Sequence, residues 1–287
     1  LTGCSKPDLS RESSPQTSTD FPPSPQRIIS LSPAITEELY LLQADNLLVA
    51  DTYYCKRPAD AKNKIKVGSL RDFDLERIVA LKPDLVLCTN LVNMRKTAKL
   101  KQLGIRVIEL APPKSFDEIC RNFIALGKII NRASPAEKIV AKARSEVDSI
   151  RKQVEHLPTK KVFMQIGAKP LVTVSRDYFI NDYIRYAGGS NISGQAISNL
   201  YSRESVLLNN PDVILIANMG ITSDEEKKAW EKYPTLTAVK NAEIHVVESD
   251  TFCNPTISAF MDSLRITLSL LHPRLKSAMT QPAPMTY

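Results

Sequence analysis

A stretch of sixteen residues occurs twice in this chain. LERIVALKPDLVLCTN at 75–90 aligns on RESVLLNNPDVILIAN at 203–218 with a constant offset of 128 and five identities: Glu76 with Glu204, Pro83 with Pro211, Asp84 with Asp212, Leu87 with Leu215 and Asn90 with Asn218. Each copy reads as a short helix stopped before proline, an aspartate at the entry to a buried strand, and a polar residue at the strand's carboxyl end. A helix–strand unit repeated at this distance calls for two α/β halves of one design. At 287 residues the chain is long enough for both.

The rest of the pattern agrees. In the first half RIISL, NLLVAD, DLVLC and IRVIEL alternate with the helix-length segments AITEELYLL, LERIVAL, MRKTAKLKQL and SFDEICRNFIALGKII. In the second, KVFMQI, LVTV, DVILIA and IHVV alternate with DYFINDYIRYAGG, RESVLLNN, EEKKAWEKY and ISAFMDSLRITLSLL. Strand–helix alternation predicts parallel sheets covered by helices. Between the halves, SPAEKIVAKARSEVDSIRKQVEHL places Ser134 as a cap, Pro135 in the first turn, and Ile139, Ala143, Val147, Ile150 and Val154 on one face. This is one amphipathic helix of roughly 22 residues and about 33 Å, able to cross the back of both halves and to restrict their opening. The expected organisation is a terminal segment over 1–26, an N-terminal lobe over 27–133, the linker helix over 134–157, a C-terminal lobe over 158–275, and a tail over 276–287. Ligands of open α/β sheets bind outside the carboxyl ends of the strands, so two facing lobes make a cleft with similar walls, toward which Asn90 and Asn218 point.

Composition excludes several classes. A net charge of +7 is spread along the chain with acidic residues interleaved, which argues against a nucleic-acid surface. The densest basic patch, Lys56, Arg57, Lys62, Lys64 and Lys66, lacks aromatic interleaving and reads as a solvated loop or an anion-attracting rim. No apolar run is long enough to span a bilayer. His156, His245 and His272 are not grouped with cysteines at zinc-ligand spacing, so no metal site is expected. With no GxSxG, Walker A loop or GxGxxG among nine glycines, the chain is not read as an enzyme and no resident cofactor is implied.

The opening LTGC is similar to the lipobox of bacterial lipoproteins, which makes Cys4 the expected lipidated residue, and the Ser-, Thr- and Pro-rich SKPDLSRESSPQTSTDFPPSPQ behind it reads as a flexible tether. The other cysteines, Cys55, Cys88, Cys120 and Cys253, allow three disulfide pairings in an oxidising compartment, and sequence does not choose among them or against free thiols.

RIISLSPAITEELYLL, KVGSLRDFDLERIVALKPDLVL, YAGGSNI and YSRESVLLNNPDVIL, in this order and at these separations, resemble the helix-linked periplasmic binding proteins that carry cobalamin, haem and ferric siderophores for ABC importers. DTYYCKRP followed by KVGSL is most similar to the cobalamin-type members. The resemblance implies two Rossmann-like lobes, a monomer on the periplasmic or outer face of the membrane, a corrinoid as cargo, and an ABC permease dimer as partner. It also implies Glu76 and Glu204 as docking handles for arginines of the permease, although a glutamate in the first turn of a helix is favourable there in any case. By position along the strands, the cleft is expected to draw on Ser32, Pro33 and Ala34, Tyr53, Tyr54 and Cys55, Ser69 and Leu70, and Asn90, opposite Leu171, Tyr201, Asp250, Phe252 and Asn254. Aromatic walls with few hydrogen-bonding groups suit a broad corrinoid disc. Where relatives often carry a Pro-Arg pair this chain has NPTISAF, which weakens the carboxylate-siderophore alternative and removes a common pocket arginine. Haem, with Tyr53 or Tyr54 at iron, stays an alternative cargo. From other classes, a cysteine-held metal-cluster scaffold and an adhesion lipoprotein with an empty cleft stay open.

Overall fold

The repeat is built around its aspartate. In the computed structural model, which describes residues 24–218 and 223–277, the N-terminal lobe runs β1 (Ile28–Ser30), α1 (Pro33–Leu41), β2 (Leu48–Asp51), β3 (Ile65–Lys66), α2 (Leu75–Ala80), β4 (Leu85–Thr89), α3 (Met94–Gln102), β5 (Arg106–Leu110) and α4 (Phe116–Ile129). Helix α5 (Ala133–Val154) follows. The C-terminal lobe runs β6 (Lys160–Gly167), β7 (Val172–Thr173), α6 (Ile180–Tyr186), β8 (Gly189–Asn191), α7 (Arg203–Asn209), β9 (Val213–Ala217), α8 (Ser223–Glu231), α9 (Thr237–Lys240), β10 (Ile244–Val247), α10 (Ser249–Phe252) and α11 (Ile257–Leu271). The first sheet is parallel with order β3-β2-β1-β4-β5. In the second, β10, β9, β6 and β8 run parallel while β7 folds back antiparallel on β6.

Asp84 Oδ2 accepts from the amide of Gln26 at 2.7 Å and its own amide donates to the carbonyl of Arg27 at 3.0 Å. Asp212 does the same one lobe later, accepting from Lys161 N–H and donating to Lys161 O, both at 2.8 Å. Each aspartate thus clips the start of its strand to the start of the lobe's first strand, which sets the parallel register, Ile28 against Leu85 and Val162 against Val213. The residues before the repeated prolines, Lys82 and Asn210, both take the left-handed conformation, with φ of 47° and 46°. That geometry ends the helix and turns the chain into the strand. The helix starts are matched too: Asp74 accepts from Arg77 N–H and Ser202 from Ser205 N–H.

Helix α5 buries Ala143, Val147, Ile150 and Val154 of the expected stripe together with Ala136 and Val140, with Ile139 at the edge, while Ser134, expected as the cap, lies inside the helix, whose N-cap is Arg132. It packs on α4 from one lobe and on α6 and α11 from the other. The consequence is one apolar core running through both lobes, from Ile28 and Leu85 to Val162 and Leu215, with a smaller cluster on the far side of each sheet. Phe116 of α4 stacks on Phe260 of α11 at 4.5 Å, and Phe116 N–H donates to Asp182 of α6 at 2.8 Å. The lobes therefore share packing beyond the linker. Strands β3 and β8 carry no alternation that a sequence could display, being two and three residues long. No helix among the described residues is long and apolar enough to cross a membrane. Cys4 lies outside the described residues.

Because the two aspartate clips sit in different lobes, Asp84→Ala and Asp212→Ala should each lower unfolding free energy by about 1 kcal/mol. The double variant should lose close to the sum, as measured by urea denaturation.

Candidate functional site

The carboxyl ends of both sheets open on one cavity of about 370 Å³. Its N-terminal wall comes from the residues that follow each strand: Ser32, Pro33 and Ala34 after β1, Tyr54 after β2, Leu70 after β3, Thr89 and Leu91 at β4, and Leu110 to Pro113 after β5. The C-terminal wall is the segment from Ser249 to Pro255 after β10, contributing Ser249, Asp250, Cys253, Asn254 and Pro255. Most of this lining is apolar. Tyr54 and Leu91, 63% and 61% exposed, form lips on the rim, and Tyr53 stands exposed beside Tyr54.

Of the residues expected in the cleft, Ser32, Pro33, Ala34, Tyr54, Leu70, Asp250 and Asn254 line this cavity together. Others are placed elsewhere. Cys55 is buried, with its sulfur 3.2 Å from the hydroxyls of Thr36 and Thr52. Ser69 shapes a turn, its hydroxyl accepting from Asp72 N–H at 3.0 Å. Leu171 and Tyr201 pack in the outer C-terminal cluster, where Tyr201 stacks on Phe163 at 5.8 Å. Phe252 is buried edge-on against Tyr183. Asn90 is exposed outside the lining, and the preceding Thr89 lines the cavity instead. Asn218 spends both ends of its amide on the entry to α10, donating to Glu248 and accepting from Ser249 N–H.

Beneath the cavity the lobes are joined by a fully buried carboxylate. Glu37 of α1 accepts from Arg57 Nε and Nη2 at 3.2 and 3.3 Å, from Asn254 Nδ2 at 2.7 Å and from Ser258 Oγ at 2.7 Å, with Thr256 Oγ1 at 3.4 Å. Arg57 also donates to Thr251 Oγ1 at 2.9 Å, so it too ties the N-terminal lobe to the C-terminal one. A buried charge survives only when surrounded by donors, and here three of them come from the other lobe. Sequence offers a signal for this only in retrospect: Glu37 sits beside Glu38 among the buried residues of α1.

Next to it Glu38 lines the cavity, only 4% exposed. Burial first, and the neighbouring Glu37 charge second, push its carboxyl well above the usual carboxylate range. Thr89 Oγ1 is buried with no hydrogen-bond partner and belongs to the same lining. The cavity is thus an apolar slot holding a few polar groups that the protein leaves unsatisfied, which is the make-up of a small-molecule site.

The four described cysteines are free. Burial, with Asp250 alongside, pushes the Cys253 thiol up to about 12, so at neutral pH it faces the cavity as a weakly polar thiol rather than a thiolate. Among the described residues, no group of three or more His, Cys, Asp or Glu is placed to hold a metal ion.

Glu76 and Glu204 are exposed in the first turns of α2 and α7, and among the described residues neither forms an ion pair. The repeat places them at equivalent points of the two lobes.

Comparison with known proteins fits this geometry. The periplasmic binding protein family matches residues 28–251. The vitamin B12-binding protein of Vibrio cholerae is 29% identical over 234 residues, 80% of this chain and 84% of that protein. The crystal structure of the periplasmic vitamin B12 binding protein of Vibrio cholerae superposes with a TM-score of 0.72 at 28% identity, covering 90% of this chain and 99% of the other. A possible iron-binding, periplasmic solute-binding protein from Staphylococcus epidermidis gives 0.77 at 26% identity over 87% and 99%.

Truncating Arg57 to alanine should leave the Glu37 carboxylate short of its guanidinium and lower unfolding free energy by about 2–3 kcal/mol in denaturant titrations. Ser258→Ala, which removes one neutral donor, should cost about 1 kcal/mol.

Proposed function

The chain belongs to the periplasmic binding protein family, and from that premise we propose that it captures a cobalamin-type corrinoid in the interlobe cavity and presents it to an ABC importer. The observation that carries this reading is the cavity itself: a slot of mostly apolar surface at the carboxyl ends of both sheets, with an aromatic lip at Tyr54 and polar groups spaced around it. A corrinoid is a broad, largely apolar disc edged by carboxamides, which asks for apolar walls and scattered hydrogen-bonding groups rather than a cluster of charges. The names of the Vibrio cholerae relatives point to the same cargo.

An extracytoplasmic location follows from the family. Lipidation at Cys4 would hold the lobes near the membrane on the segment that follows it, and the protein works as a monomer that meets a permease dimer. Glu76 and Glu204 serve as the docking pair. They are exposed and matched by the internal repeat, so a two-fold partner meets one carboxylate on each lobe. The shared core and the Glu37 junction favour a small closing motion over a wide hinge.

The alternative cargo is an iron chelate, favoured by the similarity to the possible iron-binding protein of Staphylococcus epidermidis. Calorimetric titration of the purified protein with cyanocobalamin, dicyanocobinamide, haemin and a ferric siderophore separates the two. We expect the corrinoids to bind tightly and the others weakly; saturable binding by haemin or the siderophore alone would reverse the assignment. Glu76→Arg together with Glu204→Arg should abolish uptake in cells while leaving corrinoid affinity within about twofold, since neither residue lines the cavity.

A further inference from the structure

Helix α1 puts four residues, Pro33, Ala34, Ile35 and Glu38, into the lining of the cavity. Three are apolar and the fourth carries a carboxyl group, 4% exposed, that receives no hydrogen bond from any described side chain or amide. The polar side-chain atoms that are both sealed and partnerless among the described residues are Asp51 Oδ2, Thr89 Oγ1, Arg203 Nη1 and Thr267 Oγ1. Glu38 is absent from that set, so its carboxyl keeps contact with open volume, and the open volume beside it is the cavity. The adjacent Glu37, by contrast, is fully enclosed by the donors of the lobe junction. One carboxylate is spent on structure, and its neighbour is left facing the cargo.

We propose that Glu38 is the specificity residue of the cleft, holding one carboxamide of the cargo's rim through a closed pair of hydrogen bonds, carboxyl O–H to amide carbonyl and amide N–H to carboxyl carbonyl. This rests on the corrinoid reading above and names the contact that selects it. A carboxylic acid and a primary amide each present one donor beside one acceptor, so they match in both directions without a charge being buried. A cargo edged with carboxylates offers no N–H in return. It would also bring a second negative charge toward Glu37 within a low-dielectric slot. The same group therefore accepts an amide-edged disc and rejects an acid-edged one, by leaving a polar atom of the wrong cargo unpaired.

The surroundings favour the un-ionised acid, burial first and the Glu37 charge second. Glu37 lies beside it on α1, and Cys120 faces it from α4. Asp250 and Cys253 line the same volume from α10 and its end, and Lys56 and Arg57 from the loop after β2, with Arg57 committed to Glu37 and Thr251. Because the acid's proton affinity is raised, the binding form persists to higher pH than it would in an ordinary carboxylic acid. It is lost only as pH climbs through that raised value.

The test uses the full chain and cyanocobalamin. In wild-type protein without ligand at pH 7, infrared difference spectra against Glu38→Gln should show the carbonyl stretch of a protonated carboxyl. Affinity should fall about 10- to 100-fold in Glu38→Leu, where the amide loses both bonds, and Glu38→Gln should recover part of that loss, since its amide still offers a donor and an acceptor. Wild-type affinity should weaken toward alkaline pH, and the glutamine variant should show no such loss. If Glu38→Leu binds cyanocobalamin as tightly as wild type, or the protonated-carboxyl band is missing, the assignment of Glu38 is overturned while the corrinoid reading stands. If wild type binds no corrinoid, both are overturned. Should Glu38→Leu fail to fold, the infrared band and the pH profiles of wild type and Glu38→Gln decide the matter alone.

Discussion

The carboxylate of Glu37 is the fixed point of this molecule. It is wholly buried, and an ion in that position is tolerable only with several donors around it. Arg57 supplies two from its own lobe, while Asn254, Ser258 and Thr256 supply theirs from the other. Separating the lobes would strip those donors away and leave a charge without compensation. The apolar contacts lie in the same direction, because the Phe116–Phe260 stack and the stripe of α5 belong to one continuous core. The floor of the cavity is consequently tied across both lobes, while Tyr54 and Leu91 stand exposed on its rims.

The two lobes solve the same local problem in the same way and then diverge. Each uses an aspartate to fasten strand to strand and a left-handed residue before proline to end the preceding helix. In the N-terminal lobe the loops after all five strands reach the cavity. In the C-terminal lobe β7 runs antiparallel and buries its surroundings, so Leu171 and Tyr201 are absorbed into the outer cluster. A duplicated framework has therefore produced unequal walls: one broad and apolar, the other a single segment from Ser249 to Pro255.

What could be read from the sequence follows that division. The repeated unit, the parallel sheets and the α5 stripe depend on periodicity and on residues close together in the chain, and they are visible there. Ser32 to Ala34 and Tyr54 were legible as lining from their place past a parallel strand's carboxyl end, whereas Asn90, one residue past β4, turns away from the cavity. Phe252 and Tyr201 were not. An aromatic residue at a strand end serves equally as a cleft wall or as core, and the decision rests on Tyr183 and Phe163, far away in sequence. Glu37 was the hardest to read, since its C-terminal-lobe donors lie more than 200 positions downstream. Two adjacent glutamates on a helix of buried residues look like a fault in the pattern until those donors are in place.

That apparent fault also decides the electrostatic character of the site. The basic loop after β2 suggests an anion-attracting rim, yet Arg57 turns inward and is engaged by Glu37, Thr251 and Asp262, the last at 3.8 Å. Its charge is largely spent before any ligand arrives. Lys56 remains on the exposed edge, where solvent screens it. Beside its apolar surface the cavity is lined by Ser32, Thr89, Glu38 and Asp250, with no further arginine among its lining residues. A multiply charged chelate would have to shed its hydration to enter without a buried cation waiting for it, which is a cost of several kcal/mol. A neutral disc edged with amides gives up far less, and gains the apolar contacts of the N-terminal wall. Glu37, the residue that ties the lobes together, thus also engages the arginine that an anion in the cavity would otherwise meet.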